Sequence, residues 1–536
     1  MGSLRHAEAS RNFVKSITLV AALWAAPLSA QVVDLTPNQV LVLATNALNE
    51  ERPDIAAAAL DAFLAQIPDN PTALLLRTEA AILQEDFPDA VRFGQRAFWQ
   101  ADTDGQRFNA ARLTALGHAR QLQDSRAQLW LRAARQYAPT TAASEAVAQD
   151  FQALRQRNPL SVSVRVGITP SDNINGGTYN EQIDLGGLFG SDNPILFDLS
   201  EDAVAQSGWE VSGNANFRYR LQADRTSATF LDAGVSGSTF LLTDRSKQAF
   251  EDLRASEQET LQRELETANR QNEFLQTGIA LQLVDPDLTA DERAALEAQL
   301  ATLQDSFLSE DEIARQVSDV REVTGSSLSF ARFNVGAVHI FALAPDIGVT
   351  EAGLSYSRTL RKDTDERHAV TASLSHRYSL SDTSGLTVSG VSERQKYVVG
   401  GDEIQSYRLQ ATYSQAVANV GSFSFGYGIE QSSADRSQDE FDSVSYSLSF
   451  SPAAPVLGAD LGMSLIYREI DWDFFDNLNQ ARSDEVLTAR LTATLRDIEV
   501  FGFNPILSIT RDERDSTAVR YQTNSTTFSV DIVSSF

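Results

Sequence analysis

The residue types that ordinarily perform covalent chemistry are scarce in this chain, and they do not gather. Among 536 residues there is no cysteine, and the five histidines (His6, His118, His339, His368 and His376) form no cluster. Without thiols there can be no disulfide staple, cysteine nucleophile or thiolate metal ligand, a composition suited to an oxidising compartment. No spacing of His, Asp and Glu matches a metal or acid–base site, and no glycine-rich phosphate loop is present. We therefore expect a protein that is not an enzyme and carries no cofactor. The net charge of −28 argues against a nucleic-acid partner, because phosphate would be repelled.

The remaining candidate side chains work through hydrogen bonds and charge. Asn173 and Asn175 either contact a client or gate a pore at an outer rim, or cap the turn that leaves a strand. Arg77 and Arg112 lie in helical segments, where they either line a groove or sit on solvated faces. Ser163, Arg165, Thr492, Thr494 and Arg496 alternate with apolar residues, a pattern that would turn them toward a polar lumen.

These residues need three kinds of element to position them. The first is an address: Arg5, Arg11 and Lys15 precede an apolar run from Ile17 to Leu28, closing on Ala30. This reads as a secretory signal peptide over residues 1–30, too short to span a bilayer. No later stretch is apolar enough for a membrane helix, so any membrane crossing must use strands.

The second element, residues 31–158, is helical. Ala-rich amphipathic segments open at Pro53, Pro88 and near Ser125, a spacing of about 34 residues that reads as tetratricopeptide repeats. An ordinary helical bundle is the alternative. Stacked helix pairs would leave a concave groove for an extended or helical peptide.

The third element begins at residue 159 and runs to 536. Val162, Val164, Val166 and Ile168 alternate with Ser163, Arg165 and Gly167; Leu487, Leu491 and Leu495 alternate with Thr488, Thr492 and Arg496. Long strands with small polar partners match an antiparallel transmembrane β-barrel, whose closure satisfies every backbone group in lipid. Segment counting gives about fourteen strands, an even number as such barrels require. Short links fall near Asp224, Pro345, Asp382, Asn419, Pro452 and Asp497. Longer acidic ones fall at 169–206, 242–323, 361–366, 392–404, 433–441, 470–483 and 512–518. This parity puts the helices on the short-loop side. Phe528, Val530, Ile532 and Phe536 share one face of the last strand, the pattern recognised by barrel-assembly machinery.

Residues 244–323 interrupt the strands with a helical hairpin on an outside loop. Phe250, Leu253, Leu261 and Leu265 form one apolar stripe and Leu296, Leu300, Leu303 and Phe307 another. Thr289 and Glu292 form a capping box. Its acidic excess reads as a solvated face, or as a site for divalent cations bridging to lipopolysaccharide.

A signal peptide, a short repeat domain and one C-terminal barrel is the layout of the surface lipoprotein assembly modifier (Slam) family. Residues 168–178, Ile-Thr-Pro-Ser-Asp-Asn-Ile-Asn-Gly-Gly-Thr, resemble that family's "SNIN"-type signature, with Asp172 where serine is usual. Residues 502–507, followed by Arg511, resemble its closing segment; the usual "SN" pair after that arginine is not evident, and the helical insertion is a departure. The resemblance implies a translocon delivering lipoproteins or secreted clients from periplasm to cell surface, with outer-membrane lipid and lipopolysaccharide as surroundings. Three other readings stay open: a polysaccharide-export porin, a diffusion porin, and a periplasmic scaffold with a soluble β domain.

Overall fold

The computed structural model describes residues 35–184, 193–320, 322–344, 348–362, 364–475 and 481–534. The signal-peptide segment, the link at Pro345 and Phe536 lie outside them.

Seven helices come first: α1 (Pro37–Asn49), α2 (Pro53–Gln66), α3 (Pro71–Leu83), α4 (Phe87–Gln100), α5 (Asp104–Arg120), α6 (Asp124–Gln136) and α7 (Thr141–Arg157). Proline occupies one of the first two positions of α1 to α4, where its missing N–H has no helical partner to lose. The Asn70 side chain accepts from Ala73 N at 2.9 Å, and Thr103 with Gln106 forms a capping box. Between helices, Ala56, Ala73, Ala80, Ala90, Ala111 and Ala134 are fully enclosed, so backbones approach closely around Leu60, Leu74, Phe98 and Leu131.

The chain then forms β1 (Leu160–Ser171), a small hairpin of β2 (Gln182–Asp184) and β3 (Leu196–Asp198), β4 (Gly208–Ala223) and β5 (Ser227–Leu242). After the helical insertion come β6 (Phe330–Ala344), β7 (Gly348–Arg361), β8 (Thr364–Ser381), β9 (Ser384–Tyr397), β10 (Glu403–Val417) and β11 (Gly421–Ala434). The last five are β12 (Phe441–Pro452), β13 (Ala459–Phe475), β14 (Ala481–Leu495), β15 (Phe503–Ser516) and β16 (Thr523–Ser534). Every strand except β2 and β3 joins one closed antiparallel barrel of fourteen, with β1 against β16. Val166, Ile168, Leu354, Leu374, Leu409, Phe425, Leu448, Leu491, Val530 and Ile532 all point outward and are exposed. In water such a surface would aggregate; around a closed barrel it is the face that meets lipid.

The inner turns are short, as the spacing predicts. In the β4–β5 turn, Asp224 accepts from the backbone of Thr226 and from Ser227, bonds that hold its carboxyl down to about 2. The outer connections differ from expectation at four places, two of them where β13 continues to Phe475 inside the expected loop 470–483 and β15 to Ser516 inside 512–518. Where loops 361–366 and 392–404 were expected, β8 starts at Thr364 and β9 continues to Tyr397. Charged residues remain in strand there because they pair across it: Arg361 with Glu366 at 2.7 Å, Lys396 with Glu403 at 3.2 Å, and Arg358 with Asp365.

The insertion is also more than a hairpin. Helix α8 (Asp244–Leu283) has 40 residues and extends about 60 Å. Helix α9 (Ala290–Asp305) starts at the expected Thr289–Glu292 box. A second box, Ser309 with Glu312, starts α10 (Glu310–Ser318), and a short α11 (Gly325–Leu328) leads back to the barrel. Asn269 of α8 binds both backbone groups of Leu308, at 2.6 and 3.0 Å, fixing the link between α9 and α10.

Candidate functional site

The helical unit carries a cavity of about 600 Å³, lined by α3, α5, α6 and α7. Its walls are Leu75, Leu113, Leu116, Leu131 and Leu154, with Glu79, Arg112 and Asp150 as charged edges. Arg112 thus sits where groove recognition would need it. Arg77 does not, and the groove assignment is corrected for it. Its side chain is buried, donating to Asp61 at 2.7 Å, lying 3.6 Å from Asp89 and stacked on Phe93. Burying a guanidinium requires partners on neighbouring helices, so Arg77 braces α2, α3 and α4. Behind the groove, His118 is 4% exposed and hydrogen-bonds Gln123 at 2.8 Å; its burial pushes the imidazole below its ordinary value.

The helical unit is fastened to one end of the barrel. Arg132 donates to Ser534 Oγ at 2.8 Å and stacks over Phe503; Arg135 pairs with Glu499 at 3.2 Å. Phe501 N donates to Gln136 Oε1 at 2.9 Å, and Tyr137 meets Phe501 edge to face. Arg220 of β4 reaches the Gln156 carbonyl at 2.9 Å. The helical unit that carries the groove is therefore held at the short-turn mouth of the barrel.

Inside the barrel, Ser163, Arg165, Thr492 and Thr494 occupy the alternate, inward positions of β1 and β14. Thr492 donates to the Gly462 carbonyl at 3.2 Å. Arg496 lies beyond β14, in the turn, paired with Asp460, so it belongs to the mouth and not to the wall. A strand's period of two stops applying once the turn begins.

The most elaborate lumen chemistry was not singled out from sequence. Glu430 is held between Arg408 (2.7 Å) and Arg468 (2.8 Å), with Ser443 against Arg468. Nearer the outer end, fully buried Asp484 accepts from Trp472 Nε1 (3.0 Å), Arg482 (2.7 Å) and Ser516 (2.6 Å), with Arg514 at 3.7 Å. Arg482 is stacked between Trp472 and Tyr521. Charged residues at inward positions of alternating strands are the signal that could have found them.

At the outer rim, Asn175 donates to the carbonyls of Asp202 (3.0 Å) and Val204 (2.7 Å) and accepts from Gln206 N (2.8 Å). Asn173 donates to the Gly177 carbonyl at 2.7 Å. Both asparagines therefore organise the first outer loop from within, as turn-capping residues do. Gly176 takes φ +66°, and Gly177 lies so close to Val204 that a Cβ would fall 2.4 Å from its carbonyl carbon. Phe528, Val530 and Ile532 face outward on β16, and the latter two lie opposite Ile168 and Val166 of β1.

No protein-family model matches the chain, and no curated protein sequence does. Solved structures overlap part of it. Acinetobacter baumannii OccAB3 is 9% identical, covering 70% of this chain and 98% of its own, with a TM-score of 0.31. A BenF-like porin from Pseudomonas fluorescens Pf-5 gives 8%, 70%, 99% and 0.31. A bacterial polysaccharide outer membrane secretin gives 6%, 70%, 98% and 0.30. Overlaps this weak carry no argument; the barrel stands on its own register and exposure.

Proposed function

We propose that this protein is an outer-membrane translocon, with its helical unit in the periplasm, that delivers lipoproteins or secreted proteins to the cell surface. The observation that carries this reading is that the helical unit bearing an apolar, charge-edged groove is fastened at the inner mouth by Arg132, Arg135 and Gln136. A solute pore has no need of a polypeptide-sized groove at its entrance, whereas a client arriving unfolded does. The helices then act as tetratricopeptide-like repeats, and the resemblance of residues 168–178 and 502–507 to the Slam family supports the same job. Energy comes from client folding outside or from another machine, and insertion of the barrel itself falls to barrel-assembly machinery. Deleting the gene and staining intact cells for a lipoprotein encoded beside it tests the proposal. Surface signal should fall while total lipoprotein stays constant; unchanged surface signal refutes it.

A second reading is a polysaccharide exporter or diffusion porin for anions. It is favoured by Arg468, Arg490 and Arg514, which turn inward from the contiguous strands β13, β14 and β15, and by Arg408 on β10, three strands from β13. Loss of exported polymer in the deletion strain, with surface lipoprotein intact, would select it.

A further inference from the structure

The barrel is closed unevenly. Every neighbouring strand pair but one is in register over ten residue pairs or more. The exception, among the described residues, is the seam between first and last strands, where residues 165–168 of β1 oppose 530–533 of β16. Continuing that register sets 169–171 against 527–529, yet these residues are not paired across the seam, although β1 there pairs fully with β4. The local sequence accounts for part of this. Pro170 has no N–H to donate, and Gly167 offers no side chain; the Asp531 carboxylate leans over it, 2.2 Å from where a Cβ would stand.

Two clasps outside the strands hold this short seam. At the outer end, the first loop is tied to the last. Thr178 Oγ1 donates to the Val519 carbonyl at 3.1 Å, while Tyr179 OH and Asn180 Nδ2 donate to Gln522 Oε1 at 3.1 and 3.0 Å. At the inner end the helical unit straddles the seam: Arg132 of α6 holds Ser534 at the end of β16, and α7 runs directly into β1. The helical unit that carries the groove thus grips the barrel at its shortest seam.

We propose that the β1–β16 seam is a strand-addition site. It parts to take one extended polypeptide segment between the two strand edges, and the clasps close it when empty. Extended polypeptide is the occupant because backbone N–H and C=O groups are what an opened strand edge presents, and lipid can satisfy neither. The choice of occupant rests on the translocation reading; the weakness of the seam does not.

The chain's lack of cysteine allows a clean test. Val166→Cys with Ile532→Cys joins directly opposed residues across the seam, at a separation an antiparallel pair brings within disulfide reach. Leu465→Cys with Ala489→Cys does the same across β13 and β14 as a control. The full chain is placed in lipid nanodiscs and followed by hydrogen exchange, with a synthetic peptide of residues 523–534 as the probe. We expect amides in 165–171 and 523–533 to exchange at least about tenfold faster than those of β12 and β13, the kinetic mark of local opening. The peptide should slow them, and the seam disulfide should abolish the peptide's effect while the control disulfide does not. Exchange as slow as in β12 and β13 overturns the proposal, and so does a peptide effect that survives the seam disulfide. Surface delivery is not a readout here, so failure of the translocation reading would show separately.

Discussion

Replacing Asp484 by alanine should be among the most damaging single changes in the barrel. The carboxylate is completely enclosed and receives Trp472 Nε1, both forks of Arg482 and the Ser516 hydroxyl. Removing it strands the Arg482 guanidinium, whose side chain is only 6% exposed, with no other carboxylate in contact among the described residues. Breaking a buried pair from one side costs about 3–5 kcal/mol. Stacking on Trp472 at 4.1 Å and Tyr521 at 3.6 Å is present with and without the carboxylate and cancels, so we expect a loss of about 3–5 kcal/mol. Urea unfolding of the full chain in lipid vesicles, followed by tryptophan fluorescence, measures it. The double variant Arg482→Met with Asp484→Leu, which removes both charges, should recover most of the loss. A D484A loss below about 1 kcal/mol, the size of one ordinary hydrogen bond, would refute the reasoning.

Other consequences are directly measurable. Leu448→Arg puts a charge on the lipid face and should cost about 2–4 kcal/mol in vesicles, whereas Ser449→Lys, one residue on and facing the lumen, should cost far less. Equal costs would mean the faces are misassigned. Because burial depresses His118, the unfolded chain takes up its proton first. The stability this ring contributes is whole above its ordinary value of 6.5 and declines as pH falls below it. Helical melting followed by circular dichroism should therefore shift downward with acid, and H118Q should remove that part of the shift. Asn175→Ala deletes three loop-ordering hydrogen bonds, and protease added to intact cells should then cut within 172–207 faster than in wild type. An unchanged cutting rate would mean that Asn175 does not order this loop.

Periodicity made the large elements legible and left their junctions unread. Alternation at Val162–Val164–Val166 or Leu487–Leu491 carries the face assignment by itself, because a strand's side-chain period is two wherever it stays in the ladder. Helix starts were readable at Pro53 and at Thr289 with Glu292 for the same reason: the signal is local. Arg77 was misplaced because the 3.6-residue period says which face a residue occupies, not whether a neighbouring Asp61 and Phe93 cover it. The outer strands were cut short because Asp365, Glu366 and Glu403 read as loop until their cross-strand arginines are known. The clasps were invisible for the same kind of reason. Thr178 and Val519 are 341 residues apart, and Arg132 and Ser534 are 402 apart; no window of sequence contains both partners.

The central claim is that the helical groove hands a polypeptide to the barrel beside it. The most direct measurement is photocrosslinking in living cells from a reactive residue placed at Leu116, inside the groove, against one at Leu129, exposed on α6 outside it. The account predicts an adduct between this protein and a surface lipoprotein of the same cells from Leu116 and little from Leu129. No such adduct from Leu116, or equal yield from both positions, would contradict it.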